Sequence, residues 1–199
     1  MSDSNGLNSA EVDRLFPVPL YRAVLDTDLD ALRARILEIS QGRQLKRNHV
    51  INVDSSHGVY GLRRDRFFAP LLEQFLDHSR SFLGKLGYDK YFQDECFIGS
   101  AWFNISRKDD NLGKHIHPGA ILSGAFYVES NPSDEIFFFR DDDMIIPPTK
   151  ATEFSQKIAG YSCDPGRLLI FKSNLNHNTN IKENGQKIVI SFNVNKKTQ

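Results

Sequence analysis

The chain has 199 residues, a length that suits one domain with a substantial core rather than two. Its 25 Lys plus Arg balance 25 Asp plus Glu, so no net field would hold it on nucleic acid or an anionic membrane. No apolar run is long enough to span a bilayer, and Met1 to Val12 is polar without a basic lead into an apolar stretch, so the expected setting is the cytoplasm.

The segment from Leu15 to Tyr21 places Pro17 and Pro19 among apolar residues, which predicts an edge strand or an extended arm, because proline cannot donate to a sheet ladder. From Asp28 onward Leu29, Leu32, Ile36 and Ile39 share one helical face, with Asp28 placed to cap the start and Gly42 just past the end. Residues 41–66 mix charge, glycine and serine without a period and read as loop with at most one short strand. Leu71, Leu72, Phe75, Leu76, Phe82, Leu83 and Leu86 form the broad stripe of a second helix, and Gly84 and Gly87 mark its C-terminal end.

After Asp89 the pattern becomes strand-like, with candidates at Cys96 to Ile105, Ala120 to Glu129, Glu135 to Arg140, Arg167 to Lys172 and Lys187 to Val194. In the last of these Ile188, Ile190, Phe192 and Val194 alternate with Val189, Ser191 and Asn193, the period of a strand with two unlike faces. Helices followed by a run of strands predict an α+β, mainly β, domain in which the helices cover one face of a sandwich or barrel. One domain over 1–199 is expected, with the arm and helices at about 15–88 and the β core at about 95–195. Cys96 and Cys163 stand far apart and are expected to be buried free thiols.

The sharpest local feature is His115-Ile116-His117. In extended chain, residues i and i+2 point to one side, so two imidazoles at this spacing converge as metal ligands do; ordinary loop histidines are the competing reading. His177 is the natural third donor, because it follows the apolar strand at 167–172 after a short turn and antiparallel pairing could bring it opposite the first two. Glu129 and Asp134 are acids in the vicinity, but nothing in their spacing favours them as oxygen ligands.

Beyond the histidines, Trp102-Phe103-Asn104, His115-Ile116-His117-Pro118-Gly119 and Leu122-Ser123-Gly124-Ala125-Phe126-Tyr127 are followed by Pro165-Gly166, Leu175-Asn176-His177 and Lys187-Ile188-Val189-Ile190-Ser191-Phe192-Asn193. This series resembles the 2OG-Fe(II) oxygenase superfamily, in its branch with H-x-H-P-G and S-G-x-Y-Y-like motifs. The resemblance implies a double-stranded β-helix (jelly roll) with the N-terminal helices packed on one sheet. It also implies Fe(II), held by His115, His117 and His177, and 2-oxoglutarate as cosubstrate. His117 stands where commoner members carry a carboxylate, which leaves the site one unit more positive. Lys187 falls where the family places the basic partner of the cosubstrate, although a surface lysine at a strand start is the alternative. Val189 stands where a hydroxyl is expected, with Ser191 on the same face, and Asn104 and Tyr127 are further candidates to bond the cosubstrate. Trp102 is expected in the core, Arg167 at a solvated strand end, and Arg140-Asp141-Asp142-Asp143 in a solvated turn.

The implied activity is hydroxylation of a small-molecule or peptide substrate, with succinate and CO2 as co-products. A three-histidine iron dioxygenase without 2-oxoglutarate and a non-catalytic jelly-roll binding module are the alternatives. Neither nucleic acid nor a membrane is an expected partner, and primary substrate and oligomeric state are not legible in the sequence.

Overall fold

The computed structural model describes residues 17–47, 51–140, 148–150 and 152–197. The chain opens with β1 (Tyr21–Val24) and α1 (Leu29–Gln41), then two short strands, β2 (Ile51–Asn52) and β3 (Asp54–Ser55). Next come α2 (Ala69–Lys85), α3 (Lys90–Asp94), β4 (Cys96–Ser106) and β5 (Asn111–Leu112). The remainder is β: β6 (Leu122–Glu129), β7 (Glu135–Phe139), β8 (Ile158–Ser162), β9 (Arg167–Lys172), β10 (His177–Thr179) and β11 (Lys187–Lys196).

The helices begin where local chemistry dictates. Asp28 caps α1 by accepting a hydrogen bond from the Ala31 N–H at 2.9 Å, and Asp89 does the same for the Phe92 N–H of α3 at 2.7 Å. Pro70 sits in the first turn of α2, where its missing N–H costs nothing. Leu32, Ile36 and Ile39 of α1 and Leu71, Leu72, Phe75, Phe82 and Leu83 of α2 are buried on one face of a six-stranded antiparallel sheet ordered β1-β9-β6-β11-β4-β3. That face is built by the even positions of β11, Ile188 to Val194, with Phe103, Ile105, Phe126 and Val128. The odd positions turn the other way. Val189 joins Ala125, Tyr127, Leu169 and Phe171 in a second cluster, against Ile136 and Phe138 of the smaller sheet β10-β7-β8. Two antiparallel sheets with helices on the outer face of one give the α+β, mainly β, sandwich expected from the strand pattern, in the jelly-roll form that the resemblance implied.

Several elements differ from the sequence expectation. Pairing of the arm starts only at Tyr21, past both prolines, and β1 lies at the edge of the larger sheet against β9; Leu15 and Phe16 fall outside the described residues. The stretch 41–66 holds two short strands, and α3 interrupts the region read as wholly strand-like after Asp89. β8 was hidden in apparent loop because Ile158–Ser162 has no fully buried position and pairs only with β7. Cys96 and Cys163 are buried free thiols as expected.

Gly124 is where β6 passes under a ring. A Cβ there would stand 2.2 Å from Phe192 Cζ and 3.0 Å from the Leu169 carbonyl oxygen. Phe192 cannot retreat, because it stacks on Phe75 with centroids 4.6 Å apart. Gly124→Ala is therefore expected to cost about 1–3 kcal/mol, read as a lowered unfolding midpoint.

Candidate active site

Between the sheets lies a cavity of about 210 Å³. Strand register decides its walls. On β11, Lys187 pairs with Ser106, Val189 with Asn104 and Tyr127, and Ser191 with Trp102 and Ala125; all of these side chains line the cavity. His115, His117 and His177 close it from the opposite side.

An antiparallel bridge holds the first and third histidines face to face: His115 N–H donates to the His177 carbonyl at 3.0 Å, and His177 N–H returns the bond at 3.1 Å. The pairing expected of His177 is thus present, though through the short β10 rather than β9. Side-chain hydrogen bonds then fix two tautomers. The Nδ1 atoms of His115 and His177 lie 2.7 and 2.9 Å from the carbonyl oxygens of Gly113 and Leu175. A carbonyl can only accept, so each Nδ1 carries the proton and each Nε2 is left with a lone pair.

His117 Nε2 lies 3.3 Å from His177 Nε2, and one ligand atom from each of the three residues falls within 4.8 Å of the others. Metal–imidazole bonds of about 2.1 Å bridge donors up to ~4.2 Å apart, so a small ring rotation seats all three on one ion. Among the described residues this is the one cluster able to hold a metal ion, and it contains no carboxylate. Glu129 is taken by Arg33 at 2.7 Å and Asp134 by Lys182 at 2.7 Å, and neither lines the cavity. The acidic run Asp141 to Asp143 lies outside the described residues.

Burial pushes the His177 imidazolium pKa down to about 3 and that of His117 to about 4, and lowers His115 as well. All three are neutral at pH 7, as ligands must be. The unfolded chain takes up protons below its ordinary histidine value of about 6.5, whereas the folded one does not. Stability of the metal-free protein is therefore expected to be level above that pH and to fall as pH drops from 6.5 to about 3. Thermal unfolding between pH 7 and 4 checks this.

At the other end of the cavity, Lys187 is 2% exposed and makes no ion pair among the described residues, so it is not the surface lysine that the sequence also allowed. Burial lowers its pKa. Lys182, equally buried, is neutralised by Asp134. Near Lys187, Asn104 Oδ1 is buried without a hydrogen-bond partner among the described residues, and the Tyr127 hydroxyl is buried against the Cys163 thiol; both residues line the cavity. A lone ammonium calls for an anion, to which the Tyr127 hydroxyl can also donate, whereas Asn104 Oδ1, an acceptor, requires a donor; a carboxylate such as those of 2-oxoglutarate meets the first requirement.

Two residues stand elsewhere than expected. Trp102 is buried but faces the cavity instead of the core, packed between His57 and His117. Arg167 is half-buried, pairing with Asp164 and donating to the Ser162 carbonyl at 2.9 Å, which ties the turn between β8 and β9. His57 also lines the cavity, and no sequence signal marks it, because it lies in a turn without periodicity.

Residues 100–193 match the family described as "Putative 2OG-Fe(II) oxygenase". Over that stretch the chain is similar to the 2OG-Fe(II) oxygenases. Solved structures agree on the fold. A Pseudomonas putida prolyl-4-hydroxylase is 12% identical, with 91% of this chain and 94% of that one covered at a TM-score of 0.57. The Trichoplax adhaerens prolyl hydroxylase in complex with a hypoxia inducible factor peptide fragment is 10% identical, covering 87% and 82% at 0.59. HygX from Streptomyces hygroscopicus, with nickel and 2-oxoglutarate bound, is 10% identical, covering 90% and 83% at 0.57. No curated protein matches the chain. Within the 2OG-Fe(II) oxygenases the shared architecture is the double-stranded β-helix seen here. Family and donor set together support an enzyme whose cofactors are iron and 2-oxoglutarate. Among the described residues no helix is long and apolar enough to cross a membrane.

Proposed function

We propose that the protein is an Fe(II)- and 2-oxoglutarate-dependent hydroxylase, with His115, His117 and His177 as metal ligands and Lys187, Asn104, Tyr127 and Ser191 as the cosubstrate cradle. Bound iron would supply dioxygen activation, coupled to conversion of 2-oxoglutarate to succinate and CO2 and to oxygen insertion into a C–H bond of the primary substrate. The chain's own residues do the positioning. The imidazoles present neutral lone pairs, two of them locked by backbone carbonyls. Lys187 offers a point charge to a carboxylate, with Tyr127 and Ser191 as hydroxyl partners on the same wall. Apolar neighbours such as Val189, Ala125 and Phe171 keep water out and strengthen that pairing.

One observation carries this reading: a buried ammonium with no counter-ion among the described residues shares a cavity with three converged imidazoles. A three-histidine dioxygenase that dispenses with 2-oxoglutarate would leave that charge unexplained. The family match speaks against the non-catalytic module. The zero net charge supports small molecules or peptides as substrates, rather than nucleic acid or membranes. The test is anaerobic reconstitution with Fe(II), titration with 2-oxoglutarate while following the visible charge-transfer band, and succinate release on admitting air. Iron-dependent succinate is expected. Iron binding without band or succinate would favour the cosubstrate-free alternative, and failure to bind iron would remove the proposal altogether.

A further inference from the structure

The three imidazoles are not held alike. His115 and His177 each have Nδ1 tied to a backbone carbonyl two residues upstream. The Nδ1 of His117 has no such bond among the described residues; its ring meets another polar atom only at His177 Nε2. The backbone of His117 is fixed, its N–H donating to the Ser173 carbonyl at 2.9 Å, but that leaves the ring free to turn about its side-chain bonds.

What confines the ring from the larger sheet is an indole. Trp102 lies with its centroid 5.7 Å from that of His117, the planes inclined by 41°. Trp102 is itself braced, because it is 7% exposed, stands on β4 in register with Ser191 of β11, and meets the His57 ring edge-on at 4.7 Å. A bulky ring rooted in the middle of a paired strand is a rigid wall, while His57 sits in an exposed turn and can only steady it.

We propose that Trp102 is a positioning residue that sets the orientation of His117, with His57 as its brace, taking the part that backbone carbonyls play for His115 and His177. The inference rests on the three histidines being the metal ligands. It gives the position where commoner relatives carry a carboxylate a ring braced by side chains, whereas the bridged pair His115 and His177 is held by backbone carbonyls.

Cobalt(II) provides the test, because its d–d spectrum reports donor number and geometry. Trp102 is the sole tryptophan of the chain, so its fluorescence reports the same event in the unmodified protein. Wild type is expected to bind Co(II) with quenching of Trp102. Trp102→Ala should lose about tenfold in Co(II) affinity, the scale seen when a group orienting a ligand is removed, and its spectrum should shift to that of His117→Ala. Trp102→Phe should recover most of the affinity and the wild-type spectrum, and His57→Ala should fall between. Circular dichroism confirms that each variant folds; if Trp102→Ala does not, the Phe and His57 variants carry the comparison. Wild-type affinity and spectrum in Trp102→Ala, or a Trp102→Phe spectrum like that of His117→Ala, would overturn the positioning role alone. A wild-type protein that ignores Co(II) would remove the metal reading beneath it.

Discussion

Exchanging His177 for alanine is expected to abolish stoichiometric metal binding, lowering affinity by more than about 100-fold, beyond what loss of a merely orienting group costs. His177 is the hub of the triad: its ring lies 4.3 Å from that of His115 and 5.1 Å from that of His117, centroid to centroid. It is also the most enclosed of the three, 5% exposed, with Phe171 packed across it at 4.7 Å. The backbone bridge to residue 115 does not involve the side chain, so the variant should keep its fold. A second signature separates ligand loss from unfolding. The imidazole that resists protonation down to about pH 3 is gone, so the metal-free variant should lose less stability than wild type as pH falls from 6.5. Elemental analysis after iron reconstitution, paired with unfolding at pH 7 and pH 5, reads both. Equimolar iron in the variant would show that the metal lies elsewhere.

The histidines were legible because their chemistry is local: an i, i+2 spacing in extended chain brings side chains together whatever the rest of the fold does. The same period made β11 plain and separated its even, helix-facing positions from its odd ones. It could not say that both faces are buried. β4 from Ala101 to Ser106 and β6 from Leu122 to Val128 are buried without interruption, so nothing in the pattern tells core from cavity wall. The sequence therefore assigns Trp102 to the core and does not reveal that Lys187 is buried. Short elements escaped for a different reason. The three residues of β10 and the exposed edge β8 take their structure from β7, a partner distant in sequence, and carry too few side chains to show a period. His57 belongs to the same group, since its place beside Trp102 follows from β3 pairing with β4.

Replacing Lys187 with methionine is expected to move stability and cosubstrate affinity in opposite directions. The side chains are of similar length, so packing against the wall formed with Val189 and Ser106 survives while the charge disappears. In the free protein that charge is a burden. It is 98% withdrawn from solvent, its pKa is lowered by desolvation, and Asp134, the acid that could balance it, is already bonded to Lys182 at 2.7 Å. Removing a buried charge without a counter-ion should stabilise the apoprotein by roughly 1–3 kcal/mol. With 2-oxoglutarate the sign reverses, because its carboxylate would enter a water-poor cavity without a partner, at a cost of about 2–5 kcal/mol. Tenfold per 1.4 kcal/mol makes that at least ~30-fold in Kd. Metal affinity should barely change, since Lys187 is not among the clustered donors. In wild type the depressed pKa adds a check: 2-oxoglutarate affinity should decline on the alkaline side before an exposed lysine would titrate, and the methionine variant should lack that limb. Calorimetry with 2-oxoglutarate on the metal-loaded pair, alongside thermal unfolding of the apo pair, decides the matter. A variant that is both less stable and equally tight would make Lys187 a structural lysine and leave the cavity without its anion site.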